Sequence, residues 1–301
     1  MFRGIITPMI TPFNKNYEID YVAVEWLINH LIKGGVNGVF PNSTTGESAS
    51  LLFEEKKELI KKVIELVDGR VKVLPGIGGN TTLEVVMLGK FAKDLGADGG
   101  IVITPYFFKP TPEELKKHYG KVAESLDFPL FIYHFPALTG VSLPVQVVKE
   151  LAREYSNLVG IKITHDSLTY LKQMIWEVKE VRKDFSVFSG LDQYLLINLM
   201  IGGDGGVVAL SNLAPKLHKS IYDAWVSGDI AKSYSLYLKL LKLSKLIESG
   251  TSTIAAIKAA LSIVGAPIEP VLRPPLSEEK ADFTVFAKEL LGDFISYIFR
   301  A

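Results

Sequence analysis

Along most of the chain, short apolar runs rich in valine and isoleucine alternate with longer segments whose apolar residues recur every three or four positions. The first kind predicts strands and the second amphipathic helices, because side chains repeat every two residues on a strand and every 3.6 on a helix. Strands are expected at 4–6, 38–41, 71–75, 100–104, 129–133, 159–163, 185–189 and 206–209, and helices at 21–33, 53–67, 83–95, 112–125, 144–154 and 168–182. A helix-length segment after nearly every strand implies a parallel sheet, since parallel neighbours need a crossover between them.

Strands apolar on both faces, eight of them within residues 4–209, favour a (β/α)8 TIM barrel over an open doubly wound sheet. A weak internal repeat agrees: Gly34-Gly-Val-Asn-Gly-Val39, Gly96-Ala-Asp-Gly-Gly-Ile101 and Gly202-Gly-Asp-Gly-Gly-Val207 each hold a glycine suited to a left-handed helix end and another leading into a strand. The barrel core is assigned to residues 1–213. Helices expected at 215–226, 230–248, 252–264 and 278–299 form a C-terminal helical appendage, 214–301, packed on the barrel as one structural unit and interrupted by Arg273-Pro-Pro-Leu276. Gly76-Ile-Gly-Gly79 lacks the third glycine and the acidic partner of a dinucleotide fingerprint.

Composition removes several classes of function. Thirty-three basic and 33 acidic residues leave no electrostatic footprint for nucleic acid or for an anionic membrane. With no cysteine, disulfides, thiolate catalysis and sulfur-built zinc sites are excluded, and the five histidines, at 30, 118, 134, 165 and 218, lack metal-ligand spacing. The N-terminal residues lack the pattern of a signal peptide, and no apolar run approaches the roughly 20 residues of a membrane helix. The expectation is a cytoplasmic protein without metal or cofactor.

Candidate chemistry starts at Lys162, set inside the β-branched run Val159-Gly-Ile-Lys-Ile-Thr164. Lysines also close strand ends and snorkel to water. A lysine desolvated in such a run has its pKa lowered, and the free amine can attack a ketone to form a Schiff base. In a barrel, active sites lie at the carboxyl ends of the strands. Thr44-Thr45-Gly46-Glu47, Tyr133, Ser189-Gly190 and residues 207–211 occupy equivalent places. His134 and His165 alternate with inward positions and are expected to pack between barrel and helices, and Asp166 is expected to cap the helix starting near Ser167.

The motifs Gly4-(x)6-Thr11-Pro-Phe13, Thr44-Thr-Gly-Glu47, Thr104-Pro-Tyr106, Tyr133-(x)2-Pro136-(x)2-Thr139-Gly140, Gly160-Ile-Lys162, Ser189-Gly190 and Arg273-Pro-Pro275 together resemble one family over essentially the whole length. It is the pyruvate-dependent class I lyases that include dihydrodipicolinate synthase, N-acetylneuraminate lyase and 2-keto-3-deoxygluconate aldolase. The resemblance implies that Lys162 is the Schiff-base lysine, Tyr133 the proton shuttle, and Thr44 a hydroxyl touching Tyr133. Thr44 and Thr45 would hold the pyruvate carboxylate, and Val207 would lay its backbone against bound pyruvate. Thr164, Ser189, Gly190 and Asp192 would meet the hydroxyls of the sugar chain. No cofactor is implied beyond the covalent Schiff base. The resemblance further implies a small keto acid and an aldehyde as partners, and a homotetramer, a dimer of dimers, as the assembly.

Departures from the family pattern narrow the substrate. The synthase branch carries an arginine in the loop after the fifth strand, where this chain has Leu138. Ala209 stands where neuraminate lyases present a serine, and Gln193 replaces a glutamate. Asn42 and Val208-Ala-Leu-Ser-Asn212 look most like the archaeal 2-keto-3-deoxygluconate aldolases, which split that acid to pyruvate and glyceraldehyde. N-acetylneuraminate lyase and 4-hydroxy-tetrahydrodipicolinate synthase activities are the alternatives, and a non-catalytic barrel binding a keto acid is a remote one. Relatives accepting the 6-phosphorylated sugar carry an arginine where this chain has Pro110, preceded by Lys109. Phe107 stands where most relatives have a tyrosine that reaches across a dimer interface into a proton relay. Either Tyr106 or a water substitutes, or the relay is dispensable, or the enzyme is slow.

Overall fold

A computed structural model describes residues 1–299; the last two positions of the expected C-terminal appendage, 300 and 301, lie outside the described residues. The strands are β1 Gly4–Pro8, β2 Gly38–Phe40, β3 Lys72–Val73, β4 Gly100–Ile103, β5 Leu130–His134, β6 Leu158–Ile163, β7 Ser186–Ser189 and β8 Gly205–Val207. The helices are α1 Tyr21–Lys33, α2 Phe53–Val67, α3 Thr82–Asp94, α4 Pro112–Ser125, α5 Pro136–Thr139, α6 Val145–Glu154, α7 Leu168–Val181, α8 Leu195–Met200, α9 Pro215–Val226, α10 Ile230–Glu248, α11 Thr253–Ile263, α12 Ala281–Gly292 and α13 Ile295–Ile298. Eight parallel strands with helices between them make a (β/α)8 TIM barrel with a C-terminal helical part.

By internal contacts the chain divides into two compact units. The first joins Met1–Gly4 to Lys72–Val207. In it β4, β5, β6, β7 and β8 pair in that order, all parallel, and Gly76 bridges to Ile101 beyond β3. The second joins Ile5–Val71 to Val208–Ala301; β1 pairs with β2 in parallel, and α9 to α13 belong to it. Within the second unit α10 is tied to α9 by the Ser233 hydroxyl, which donates to the Ile221 carbonyl at 3.1 Å.

Helix starts follow from side chains that satisfy the unpaired amides of a first turn. The Asp20 carboxylate accepts from the amides of Val22 and Ala23, and Thr111 with Glu114 forms a capping box ahead of Pro112. Ser167, not the expected Asp166, caps α7 by accepting from the Tyr170 amide; the Asp166 carboxylate accepts instead from the Tyr194 hydroxyl at 2.6 Å. The repeat glycines end their helices as expected, with φ of 84° at Gly35, 86° at Gly96 and 99° at Gly202.

Two differences from the expected elements have physical causes. The helix expected over 278–299 is two, α12 and α13, broken where Gly292 and Asp293 meet. Glycine is a poor helix former, and the Asp293 carboxylate is drawn to the Lys242 ammonium at 2.6 Å. The connection from β7 to β8 contains α8, whose Leu-Leu-Ile-Asn-Leu-Met run shows no polar stripe because residues around most of it are buried.

Candidate active site

Residues alternate between the two faces of a strand, so Phe131 and Tyr133 share one face of β5 while Ile132 and His134 take the other. His134 packs its ring 4.7 Å from that of Tyr170 on α7, which fixes its face as the one turned to the helices. This agrees with the expected outward packing of His134, and His165 stands edge-on to both rings. Tyr133 therefore points the opposite way, as does Lys162, its register partner on β6.

Lys162 and Tyr133 are each 3% exposed, and the Lys162 Nζ lies 4.1 Å from the centre of the Tyr133 ring. Two residues on from Lys162, the Thr164 hydroxyl stands 3.5 Å from the Tyr133 hydroxyl, at the limit of a hydrogen bond. Gly190 follows β7 and donates its amide to the Ile163 carbonyl at 2.7 Å. A Cβ at Gly190 would fall 1.9 Å from the Thr164 Oγ1 and 3.0 Å from the Lys162 Cε, so only glycine leaves room for those two side chains. Ser189 spends its hydroxyl within its own loop, donating to the Leu191 carbonyl at 2.8 Å and accepting from the Leu191 amide. Asp192 is buried at the start of a single 3-10 turn, and Val207 ends β8 one step past the Ser189–Gly206 pair.

Thr44 and Thr45 belong to the second unit, in the loop after β2. That loop is built by the Ser43 hydroxyl, which donates to the Met9 carbonyl and accepts from the Gly46 amide, and by the Thr11 hydroxyl, which donates to the Gly46 carbonyl at 2.6 Å. Asn42 and Glu47 flank it with φ of 54° and 56°. The first unit thus gathers Lys162, Tyr133, Thr164 and Gly190, with Ser189, Asp192 and Val207 at the adjoining strand ends, and the second holds the threonine pair in a rigid turn.

The profile of the dihydrodipicolinate synthetase family matches residues 1–290. The chain belongs to this family. An uncharacterized DapA-like lyase of Thermofilum pendens is 47% identical over 92% of both chains, and a probable 2-dehydro-3-deoxy-D-pentonate aldolase, YjhH, of Escherichia coli is 40% identical over 93% of this chain and 94% of its own. YagE, a prophage protein of the same family from E. coli solved in complex with pyruvate, superposes with a TM-score of 0.95 at 37% identity, over 98% of this chain and 99% of that one. The protein is accordingly an enzyme, a carbon–carbon lyase of the pyruvate-dependent class I kind.

Set within the dihydrodipicolinate synthetase family, the departures seen in the sequence take definite places. Leu138 sits exposed on α5, in the loop that follows β5. Phe107 is 78% exposed, edge-on to Phe108 at 5.3 Å, and its amide and that of Tyr106 both donate to the Asn80 side chain.

Sequence reasoning passed over Lys258. It is fully buried on α11, its ammonium 2.5 Å from the Glu47 carboxylate and 2.8 Å from the Val271 carbonyl. Burial pulls its pKa down to about 8, with Glu47 pulling the other way. The one available signal was a lone charge in the otherwise apolar Thr-Ile-Ala-Ala-Ile-Lys-Ala-Ala-Leu run.

Proposed function

We propose that the protein is a class I aldolase reversibly cleaving a 2-keto-3-deoxy sugar acid, 2-keto-3-deoxygluconate first, to pyruvate and an aldehyde, glyceraldehyde for that acid. The observation that carries this is the buried Lys162 amine over the Tyr133 ring on neighbouring strands, with the Gly190 backbone beside it. Lys162 attacks the keto carbon, and Tyr133 gives its proton to the departing carbinolamine hydroxyl, so that water leaves behind an iminium electron sink and the Tyr133 phenolate. Tyr133 accepts the proton of the C4 hydroxyl, the C3–C4 bond breaks, and its electrons settle in the enamine while the aldehyde leaves. Protonation at C3 and hydrolysis of the imine free pyruvate and restore the amine. No cofactor takes part.

Thr44 and Thr45 hold the substrate carboxylate through hydroxyls and amides, donors that suffice for a small anion. Thr164, Asp192, Ser189 and the backbone at Gly190 and Val207 line the remainder. The Thr164 hydroxyl, beside Tyr133, and the Asp192 carboxylate, in the turn after β7, supply sugar hydroxyls with a donor and an acceptor. Leu138 offers no charge for the second carboxylate that the synthase reaction brings, which favours a sugar aldehyde. By the same family resemblance the enzyme works in the cytoplasm as a homotetramer.

Borohydride reduction in the presence of pyruvate, followed by peptide mass mapping, tests the mechanism. A pyruvate-sized adduct on Lys162, absent from Lys162→Ala and never found on Lys258, is the expected result. An unmodified wild type would remove the aldolase reading. Substrate choice is tested separately. With Pro110 after Lys109, kcat/KM for the unphosphorylated acid is expected to exceed that for its 6-phosphate by about tenfold or more, and equal values would refute the preference.

A further inference from the structure

Three of the motifs that mark this chain, Thr11-Pro-Phe13, Glu47 and Arg273-Pro-Pro275, touch no reacting atom in the mechanism above, yet the second unit brings them into one network. Glu47 is its centre. The carboxylate is fully buried, with one oxygen on the Lys258 ammonium and the other accepting from the Arg273 amide at 3.0 Å. Lys258 donates as well to the Val271 carbonyl and lies 4.4 Å over the ring of the buried Phe13, whose other neighbour is the Arg273 guanidinium at 4.6 Å. That guanidinium forks onto Glu55 with two contacts of 2.6 Å and donates to the carbonyls of Ser50 and Tyr17.

The backbone at Glu47 shows what the network holds. Its φ of 56° and ψ of 34° are left-handed, a conformation uncommon for a residue with a Cβ, and here it is held by the buried contacts of its side chain. Glu47 has that conformation two residues after Thr45, and its amide donates to the Thr44 carbonyl at 3.0 Å. A change in the Glu47 torsions would be passed directly to the Thr44 and Thr45 amides and hydroxyls.

We propose that Glu47, Lys258 and Arg273 are positioning residues that lock the Thr44–Thr45 turn for the substrate carboxylate. The helical region after β8 is then part of the active-site apparatus, acting through a buried ion pair rather than through contact with substrate. This rests on the proposed role of the threonine pair. It predicts a specific defect: loosening the network costs recognition of the carboxylate and leaves the reactivity of the Lys162 amine intact.

The test compares borohydride trapping on Lys162 by pyruvate with trapping by hydroxyacetone, a ketone without the carboxylate. In Glu47→Gln the ratio of pyruvate to hydroxyacetone trapping is expected to fall roughly tenfold to a hundredfold, with hydroxyacetone trapping unchanged, since displacements of about 1 Å have effects of that order. Removing one member of a buried pair can prevent folding, so the double variant Glu47→Gln/Lys258→Met, which leaves no unpaired buried charge, is measured alongside and is expected to show the same fall. A folded variant with the wild-type ratio overturns the proposal. So does an equal loss with both ketones, which marks a role in stability alone. A wild type that forms no pyruvate adduct on Lys162 overturns the proposed function instead, so the two failures are distinguishable.

Discussion

Lys162→Ala is expected to lower the rate of sugar-acid cleavage by about 10⁴-fold or more, because it removes the only route to the iminium that accepts electrons from the breaking C3–C4 bond. A loss of that size corresponds to about 5 kcal/mol of transition-state stabilisation, beyond what a displaced binding contact supplies. Tyr133→Phe separates the two partners. The ring over the Lys162 amine is kept and the proton acceptor is lost, so the borohydride adduct is expected to form, more slowly, while cleavage falls by about 10²- to 10⁴-fold, the usual contribution of a positioned acid–base group. Steady-state kinetics on the two variants, each verified as folded, decide the matter. If Lys162→Ala retains more than a hundredth of the wild-type rate, the lysine is not the nucleophile.

How far this site was legible in the sequence depends on the distance over which each feature is determined. Lys162 stood out because a charge interrupts an apolar β-branched run visible within five residues, and Tyr133 because it ends the fifth apolar run; the structure places the two in register. Strand positions were readable for the same reason. The α8 run was not, since a buried apolar helix has no stripe to see, and the break before α13 turns on Asp293 meeting Lys242, 51 residues earlier. Gly190 could be picked out as a motif, but its physical reason, the Thr164 hydroxyl filling the space of a Cβ, is tertiary. The clearest case is Glu47, whose partner Lys258 is 211 residues away. Each looked locally like something else, one a loop acid and the other a stray charge on a helix.

Acid is expected to unfold the protein steeply, and three buried histidines set the window. His30, His118 and His134 are each at most 8% exposed, and burial is the leading cause that brings each pKa down from 6.5 to about 4. Their surroundings offer a proton little: neither ring nitrogen of His134 has a hydrogen-bond partner, and Nε2 has none in His30 or His118. His134 faces His165 and Tyr170, His118 faces Tyr119 and the Thr82 hydroxyl, and His30 is stacked on Trp26. Because the folded pKa lies below the unfolded one, the unfolded chain binds more protons between the two. The stability is therefore complete above pH 6.5 and is lost as pH falls toward 4. Each histidine contributes about 3 kcal/mol across that interval, and three titrating together give a slope of about 4 kcal/mol per pH unit near pH 5. Their sum, about 10 kcal/mol, is comparable with the whole stability of a typical domain, so the unfolding midpoint is expected between about pH 4 and 5. Glu55, held low by Arg273, adds its own loss from the acid end of that window downward, and Asp293, held low by Lys242, acts below it. Denaturant titrations from pH 4.5 to 7 measure the slope. His134→Phe keeps an aromatic ring against Tyr170 and removes one proton site, so it should take away about a third of the slope and raise stability at pH 5 relative to wild type. An unchanged slope in that variant would mean that His134 is already protonated in the folded protein, against the unpartnered burial seen here.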